Sequence, residues 1–257
     1  MPKNNSCLDI KNLKKSYHCS DGSVKEALKG VSLSIAQGEI VGLLGVNGAG
    51  KTTMSSILAT LHPPTEGDVT FEGRSIYKQL AHYRKQIGFC PQRPNLDGAL
   101  TLKQNLHFAG RYYRMSETAI ADRLNKLMVQ FELNEYQDRK VDELSGGYRQ
   151  RFMIARCLMH NPKLVLLDEP TVGLDPHIRR QLWTKIKELK HEGVTVILTT
   201  HYLDEAEQLS DRVCIIDQGL IKLVETPAKL LSDFNKHSLE DVFLALMQES
   251  KTNDEVV

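Results

Sequence analysis

The chain has 257 residues, enough for one large α/β domain or for one domain with a subdomain inserted. Its 33 lysines and arginines nearly balance its 32 aspartates and glutamates, and a net charge of +1 gives no broad basic surface, so we expect no nucleic-acid partner. The N-terminus lacks the apolar core of a signal peptide. Because the longest apolar stretch, 40–46, is far shorter than the roughly 20 residues that cross a bilayer, we expect a chain that is soluble when isolated.

Short apolar runs suited to β-strands begin near the N-terminus. Cys7–Leu13, Val31–Ile35 and Val69–Gly73 alternate polar and apolar residues, as antiparallel strands do. Later runs are apolar throughout and predict strands covered on both faces: Ile40–Leu44, Ile87–Cys90, Leu164–Leu167, Val194–Leu198 and Val213–Ile216. Helical patterns between several of these runs predict a mostly parallel sheet.

The pattern changes over residues 94–160. Three helical patterns follow one another there without a strand: Thr101–Tyr113, Glu117–Phe131 and Gly147–His160. We therefore predict a helical subdomain inserted between two strands of the core. Three later helical patterns return to the core or follow it: Asp175–His191, Leu203–Leu209 and Ser238–Gln248.

A glycine-rich loop lies between the predicted strand Ile40–Leu44 and a helical pattern that starts at Lys51. It matches G-x-x-x-x-G-K-[ST], in which glycines let successive N–H groups point at one anion and the helix dipole supports them. Lys51 can reach the β- and γ-phosphates, and the Thr52 hydroxyl can ligate Mg²⁺. The sequence thus predicts a nucleoside triphosphate site at Gly45, Val46, Asn47, Gly48, Ala49, Gly50, Lys51, Thr52 and Thr53.

The apolar run Leu164–Leu167 ends in two carboxylates, Asp168 and Glu169. A carboxylate at a strand end opposite the phosphate loop can hold Mg²⁺, usually through water, which makes Asp168 a predicted metal ligand. Glu169 beside it is placed to polarise an attacking water as general base. The alternative is a strand that merely ends in exposed acids, which is common.

A second glycine motif, Ser145-Gly146-Gly147, precedes an arginine-rich helical pattern. A hydroxyl, bare N–H groups and a helix dipole form another anion cradle, although a simple serine cap is the plainer alternative. One nucleotide has one γ-phosphate, so two cradles in one chain need an explanation. A second copy of the chain that lends its cradle to the first copy's nucleotide would provide one.

Together these residues resemble the ATPase subunits of ABC transporters. Residues 144–151, LSGGYRQR, resemble the signature motif of that family, and residues 173–176, GLDP, resemble the D-loop that crosses its dimer interface. The likeness spans residues 8–223 and includes five ordered motifs. Two departures, Tyr148 where glutamine is most common and Val46 where proline or serine is frequent, remove no phosphate donor.

The resemblance implies roles for four further residues. Gln92 is similar to the Q-loop glutamine, which contacts Mg²⁺ and the attacking water, and His201 to the switch histidine, which contacts the γ-phosphate. Asp175 of the D-loop is implied to lie at the nucleotide. Tyr17 stands where the family places an aromatic residue on adenine, although an aromatic in a loop is as often a packing residue. The alternative for His201 is a partly buried structural histidine.

The fold implied is an α/β P-loop NTPase core with a mostly parallel sheet, an antiparallel β subdomain and an inserted α-helical subdomain. One ABC ATPase domain would occupy residues 1–257. Its predicted parts are the core with the N-terminal β subdomain over 7–93 and 161–224, the helical subdomain over 94–160, and C-terminal helices and a tail over 225–257.

The resemblance also implies the partners. ATP with Mg²⁺ would be held by 45–53 of one subunit and by 145–147 of another, in a homodimer that opens after hydrolysis. The helical insert and the loop after Gln92 are where the family docks a polytopic membrane permease. This docking would place the chain at the cytoplasmic face of the cell membrane. The stretch 238–243, SLEDVF, resembles ATPases of ABC-2-type exporters.

Two alternatives differ in function class. A soluble ABC ATPase acting on ribosomes or DNA repair usually carries paired ATPase halves or long inserts, whereas this chain has one half and no basic arm. A kinase that uses the same loop would need an acceptor pocket and would leave residues 145–147 unexplained. Transport is therefore the expected function.

Overall fold

The computed structural model describes the backbone of residues 6–254 and the side chains of residues 6–247. The strands are β1 Ser6–His18, β2 Val24–Ala36, β3 Ile40–Leu44, β4 Glu66–Phe71, β5 Arg74–Ser75, β6 Ile87–Cys90, β7 Leu164–Asp168, β8 Thr195–Thr199, β9 Arg212–Asp217 and β10 Leu220–Glu225. The helices are α1 Lys51–Leu58, α2 Leu80–Arg84, α3 Leu102–Tyr112, α4 Glu117–Gln130, α5 Gly146–Cys157, α6 Pro176–His191, α7 Leu203–Leu209, α8 Pro227–Asp233 and α9 Leu239–Asp254.

An antiparallel sheet with strand order β2-β1-β4-β5 forms the N-terminal layer. Its core side follows the predicted alternation, with Leu8 and Ile10 buried. The β1–β2 hairpin extends beyond the predicted strands. Its outer part is polar and lacks that alternation, so the sequence pattern did not predict it. There Tyr17 pairs with Lys25 across the hairpin. Tyr17 therefore lies on a strand, and its expected place in a loop is wrong.

The second sheet has the order β10-β9-β3-β8-β7-β6, in which β10 alone among the described strands is antiparallel to its neighbour. Every residue of β3, β7 and β8 is buried, as expected for strands covered on both faces. The parallel register brings strand ends together: Leu43 pairs with Thr199, and Asp168 pairs with Thr199 from the other side. The loops that follow these strands consequently open at one edge of the sheet. Strands β5 and β10 were not predicted.

Helices α3, α4 and α5 lie within the predicted insert, between β6 and β7. The start of α3 is fixed by a capping box in which Thr101 Oγ1 accepts from Gln104 N and the Gln104 side chain accepts from Thr101 N. Buried side chains of these helices, such as Phe152, share one cluster with Leu167 of the sheet and Leu182 of α6. The insert thus packs on the core through a continuous apolar contact.

Helices α7, α8 and α9 form a third apolar cluster, against Leu44 and β9. Leu239 N at the start of α9 donates to Glu207 Oε2 of α7 at 3.1 Å. The backbone of α9 continues to Asp254, beyond the predicted end at Gln248. Of the predicted tail, residues 255–257 lie outside the described residues. No helix among the described residues is both long and apolar enough to cross a bilayer.

Candidate nucleotide-binding site

The phosphate loop, residues 45–53, is closely packed from below. A Cβ on Gly45 would lie 2.2 Å from the carbonyl oxygen of Ile216, and one on Gly50 would lie 2.8 Å from that of Ala27. Gly50 also has φ of 114°, a left-handed conformation that favours glycine. Both positions therefore admit only glycine, and the loop is held in a curled conformation by β9 and β2.

Lys51 folds back across this loop. Its side chain is buried, and Nζ donates to the carbonyl oxygens of Gly45 at 2.7 Å and Val46 at 3.2 Å. Burial lowers the pKa of the Lys51 ammonium, while the carboxylates of Glu169 and Asp168 act to raise it. The cation is thus fixed under the loop, near the two predicted acidic residues.

The N-terminus of α1 is free to receive an anion. Gly50 is its N-cap and supplies no side chain, and residues 51–54 include no carboxylate that would compete for the first N–H groups. Thr52 is exposed and Thr53 is partly exposed. Val46, Asn47 and Gly48 at the top of the loop are exposed as well, whereas Ala49 is buried. Exposed loop residues therefore lie beside the buried Lys51 at the start of α1.

Asp168 ends β7 and is 6% exposed. Its Oδ1 accepts from Thr199 Oγ1 at 2.5 Å. Burial raises the pKa of Asp168, and Glu169 adds to this, while Thr199 and Lys51 act to lower it. Glu169 follows in a left-handed conformation with φ of 50°, held by hydrogen bonds from its N–H to Thr199 O and Oγ1.

Glu169 meets two of the residues assigned by resemblance. Its Oε2 accepts from Gln92 Nε2 at 2.8 Å and lies 3.4 Å from His201 Nδ1. These residues follow the ends of β6, β7 and β8, so the parallel register brings them together. Glu169 Oε2, a potential proton acceptor, thus lies beside both an amide and an imidazole.

The second cradle lies elsewhere on the surface. Ser145 is the N-cap of α5, but within the described residues its side chain accepts no capping hydrogen bond, so it does not act as a simple serine cap. Residues 145–147 line a cavity of about 430 Å³ that is also lined by residues 173–175. No residue of 45–53 lines this cavity. The structure therefore brings Asp175 to the second cradle.

Sequence comparison decides the family. Residues 28–172 match the family described as ABC transporter. The Nod factor export ATP-binding protein I of Rhizobium sp. (strain N33) is 38% identical over 94% of this chain and 78% of its own length. The chain belongs to the ABC transporter family. A second relative of this ABC ATPase, the linearmycin resistance ATP-binding protein LnrL of Bacillus subtilis (strain 168), is 39% identical over 88% of the chain and 71% of its own length.

Solved structures agree with this assignment. One described as the ATP-binding subunit of an ABC transporter has a TM-score of 0.83 at 30% identity, covering 94% of this chain and all of that one. The ATP-binding cassette MJ0796, solved as a dimer in a post-hydrolysis state with ADP and Pi, has a TM-score of 0.77 at 32% identity, covering 85% and 98%. The expected α/β fold is confirmed. This ABC ATPase is an ATP-binding and ATP-hydrolysing transporter subunit, as expected, and transport is supported over ribosome or repair work.

Tyr17 of this ABC ATPase lies on the β1–β2 hairpin, opposite Lys25. Its ring is partly exposed, with Lys15 Nζ 5.2 Å from the ring centroid. On the neighbouring strand β2, the Ala27 carbonyl oxygen and Leu28 Cδ2 approach Gly50 closely. The hairpin that carries Tyr17 thus reaches the phosphate loop, and the role of its ring stays a prediction.

Two residues that hold this site were missed by sequence reasoning. Thr199 bonds both acidic positions, and Gly219 N donates to the Ala49 carbonyl at 3.0 Å while its own carbonyl accepts from Lys29 N at 2.9 Å. A threonine at the end of an apolar run was a visible signal for Thr199. Nothing in the sequence connects Gly219, in the β9–β10 turn, to a loop about 170 residues earlier.

Proposed function

We propose that this ABC ATPase hydrolyses ATP between two copies of the chain, each copy supplying half of each site. The observation that carries this is that the cavity at 145–147 is lined by residues 173–175 and by none of 45–53. A nucleotide held by both cradles is therefore best explained by two chains, each of which supplies one cradle. The dimeric solved cassette MJ0796, at 32% identity, supports a homodimer.

At the first cradle, we assign the β- and γ-phosphates of ATP to the amides of 45–53 and to Lys51. This assignment is supported by chemistry, because a buried lysine lies at a glycine-rich helix N-terminus without a side-chain cap. Asp175 and residues 145–147 of the second copy would complete the phosphate shell. Tyr17 would stack on the adenine, because its hairpin borders the loop at Gly50.

Mg²⁺ would be held by Thr52, Asp168 and Gln92, and the donor set fits, because hydroxyl, carboxylate and amide oxygens are ligands that it prefers. Among the described residues no cluster of three His, Cys, Asp or Glu could hold a metal, so this site would depend on nucleotide oxygens. When bound, Mg²⁺ neutralises charge on the phosphates. The buried Asp168 carboxylate supplies the protein's negative charge to the site.

Glu169 is the proposed general base. Its Oε2 would take the proton of the attacking water, and Gln92, 2.8 Å from that oxygen, would orient the same water. His201, 3.4 Å from Oε2, would reach the γ-phosphate when the second copy closes the site. A carboxylate that accepts a hydrogen bond from an amide and has an imidazole 3.4 Å away is placed for proton transfer.

The proposed permease would dock in a groove of about 880 Å³ between the core and the helical insert. Its lining includes Leu61, Phe108 and Tyr112, each at least 55% exposed, together with Asn95 and Asp97 after Gln92. Large apolar side chains exposed in one groove favour a protein partner. A polytopic membrane subunit seated here would hold the chain at the cytoplasmic face of the membrane.

Export is the proposed direction. The two relatives are named for Nod factor export and for linearmycin resistance. The exporter-like stretch 238–243 begins α9, which packs on α7 just after His201. Copurification of the tagged chain with a polytopic membrane protein, lost on Phe108→Asp, would test the groove. An unchanged yield of that partner would contradict it.

The shared site is tested by mixing two inactive variants. Lys51→Ala removes the cation of the first cradle, and Ser145→Arg fills the second. Each alone should be nearly inactive in phosphate release. A mixed dimer regains one intact site, so an equal mixture should recover up to about one quarter of the parent rate, from half of the dimers with one site each. Failure to recover any activity would overturn the two-chain site.

A further inference from the structure

The ring of Tyr202 lies between His201 and helix α6. The ring centroids of His201 and Tyr202 are 4.3 Å apart. On the α6 side, Arg179 Cζ lies 4.6 Å from the centroid of Tyr202 and 5.8 Å from that of Trp183. Arg179 and Trp183 are four residues apart on one face of α6. These four side chains form a continuous stack, His201-Tyr202-Arg179-Trp183, which we call the switch stack.

The switch stack is anchored in the interior at its far end. Trp183 Nε1 donates to Glu205 Oε1 at 2.9 Å, and Glu205 is fully buried. Burial raises the pKa of the Glu205 carboxyl, and the nearby hydroxyls of Thr200 and Thr171 act to lower it. Because Thr200 directly precedes His201, the anchor and the histidine belong to one short segment.

Arg179 is held mainly by the two rings. Its side chain is 17% exposed, and its Nη2 lies 3.4 Å from Oδ2 of the exposed Asp204, a long ion pair. Within the described residues Arg179 Nε is buried and has no hydrogen-bond partner. A guanidinium placed between two aromatic faces in this way gains cation–π attraction in addition to its long hydrogen bond to Asp204.

His201 needs such support. Its side chain is 42% exposed, and its polar contact with Glu169, at 3.4 Å, is long. An exposed imidazole with one weak contact is free to leave its rotamer, whereas a ring lying on Tyr202 restricts it. The contact geometry therefore decides how often the imidazole lies beside Glu169.

We propose that Tyr202, Arg179 and Trp183 are positioning residues that hold His201 in its working orientation beside Glu169. This rests on the proposed role of His201 in hydrolysis. None of these three side chains lines the cavity at 145–147, and Arg179 meets Asp175 through its backbone N–H, which donates to the Asp175 carbonyl oxygen at 2.9 Å. Truncating the side chains should therefore lower turnover and leave ATP binding unchanged. Helix α6 begins directly after Asp175 of the D-loop. The contacts of Tyr202 with Arg179 therefore connect His201 to the helix that follows the D-loop.

The test is a double-mutant cycle with His201. Tyr202→Ala should lower kcat about tenfold and leave the KM for ATP within about twofold of the parent. In the His201→Ala background, Tyr202→Ala should cause no further loss, because it acts through the histidine. Tyr202→Phe keeps the ring and should restore most of the rate. Trp183 is the one tryptophan in the sequence, so its fluorescence reports the stack independently of activity.

The outcomes separate the two proposals. If His201→Ala keeps the parent rate, the proposed role of the histidine is wrong. If His201→Ala is slow but Tyr202→Ala is not, or if the two losses multiply in the double variant, the positioning proposal is overturned while the site assignment stands. Should Tyr202→Ala melt more than about 5 °C below the parent, Arg179→Leu replaces it in the same cycle, with an expected loss of about fivefold.

Discussion

The two anion cradles of this ABC ATPase use the same elements and differ in completeness. Both place glycines at the start of a helix. Residues 45–53 are enclosed from below by neighbouring backbone and contain a buried lysine, whereas 145–147 open into a cavity shared with residues 173–175 and contain no lysine. A helix N-terminus can bind phosphate within one chain when the surrounding residues fix the loop conformation and position a cation. A helix N-terminus that lacks both features needs a second surface to complete the site.

Removing the base should give the largest loss of turnover. It should also reveal ligand binding at the second cradle through hydrogen exchange. Glu169→Gln keeps the size of the side chain but cannot take a proton, so turnover should fall roughly 10²–10⁴-fold while ATP stays bound. With Mg-ATP the trapped dimer should protect the amides of 145–147 from hydrogen exchange. Lys51→Ala, treated alike, should leave them unprotected. Parent-rate hydrolysis by Glu169→Gln would refute the base assignment.

Adding one methyl group to each cradle should affect ATP affinity very differently. In Gly45→Ala the new Cβ would meet the Ile216 carbonyl oxygen at 2.2 Å, whereas in Gly146→Ala it would meet Leu174 Cδ2 at 3.9 Å, an ordinary contact. Overpacking costs about 1–3 kcal/mol, so Gly45→Ala should weaken ATP binding by roughly 10- to 100-fold. Gly146→Ala should leave the ATP affinity of the isolated chain unchanged in calorimetry. Equal weakening by both would contradict the contrast.

Asp168, which the proposal places at the first cradle, and Ser145 of the second cradle should contribute differently to the pH dependence of the free energy of unfolding. The folded pKa of Asp168 is raised above its ordinary 3.8, so the folded chain binds more protons than the unfolded one in that window. Stability therefore falls as pH rises through the folded pKa, with a slope of at most about 1.4 kcal/mol per pH unit. Asp168→Asn should flatten this slope in urea unfolding of the nucleotide-free chain. Ser145→Ala is the matched control and should keep it.

The smallest expected effect compares two helix caps. Thr101 Oγ1 accepts a capping hydrogen bond and Ser145 Oγ accepts none within the described residues. Thr101→Ala should lower the free energy of unfolding by about 1 kcal/mol. Ser145→Ala should change it by no more than about 0.5 kcal/mol. Ser145→Ala should nevertheless slow ATP hydrolysis. A larger stability loss for Ser145→Ala would mean that the serine serves the fold.

Sequence reasoning succeeded for strands whose whole signal lies in one apolar segment, since β3 and β7 are buried throughout, as predicted. The phosphate loop and the Asp168-Glu169 pair follow these strands directly, and their roles stay predictions. It failed where a contact depends on register or on packing between distant segments. Thr199 reaches Asp168 only because β7 and β8 pair in that register, and Tyr202 meets Arg179 only because α6 and α7 pack together. The polar hairpin end, which lacks apolar alternation, hid the strand that carries Tyr17.

The turn at Gly219 limits how small a working fragment of this chain could be. All the ordered motifs end at His201, and a shortened chain stopping there would retain every one of them. It would still lack the Ile216 carbonyl beneath Gly45 and the Gly219 amide that binds Ala49. The smallest piece able to keep the loop in shape therefore extends to the β9–β10 turn. A full set of motifs does not by itself define an autonomous module.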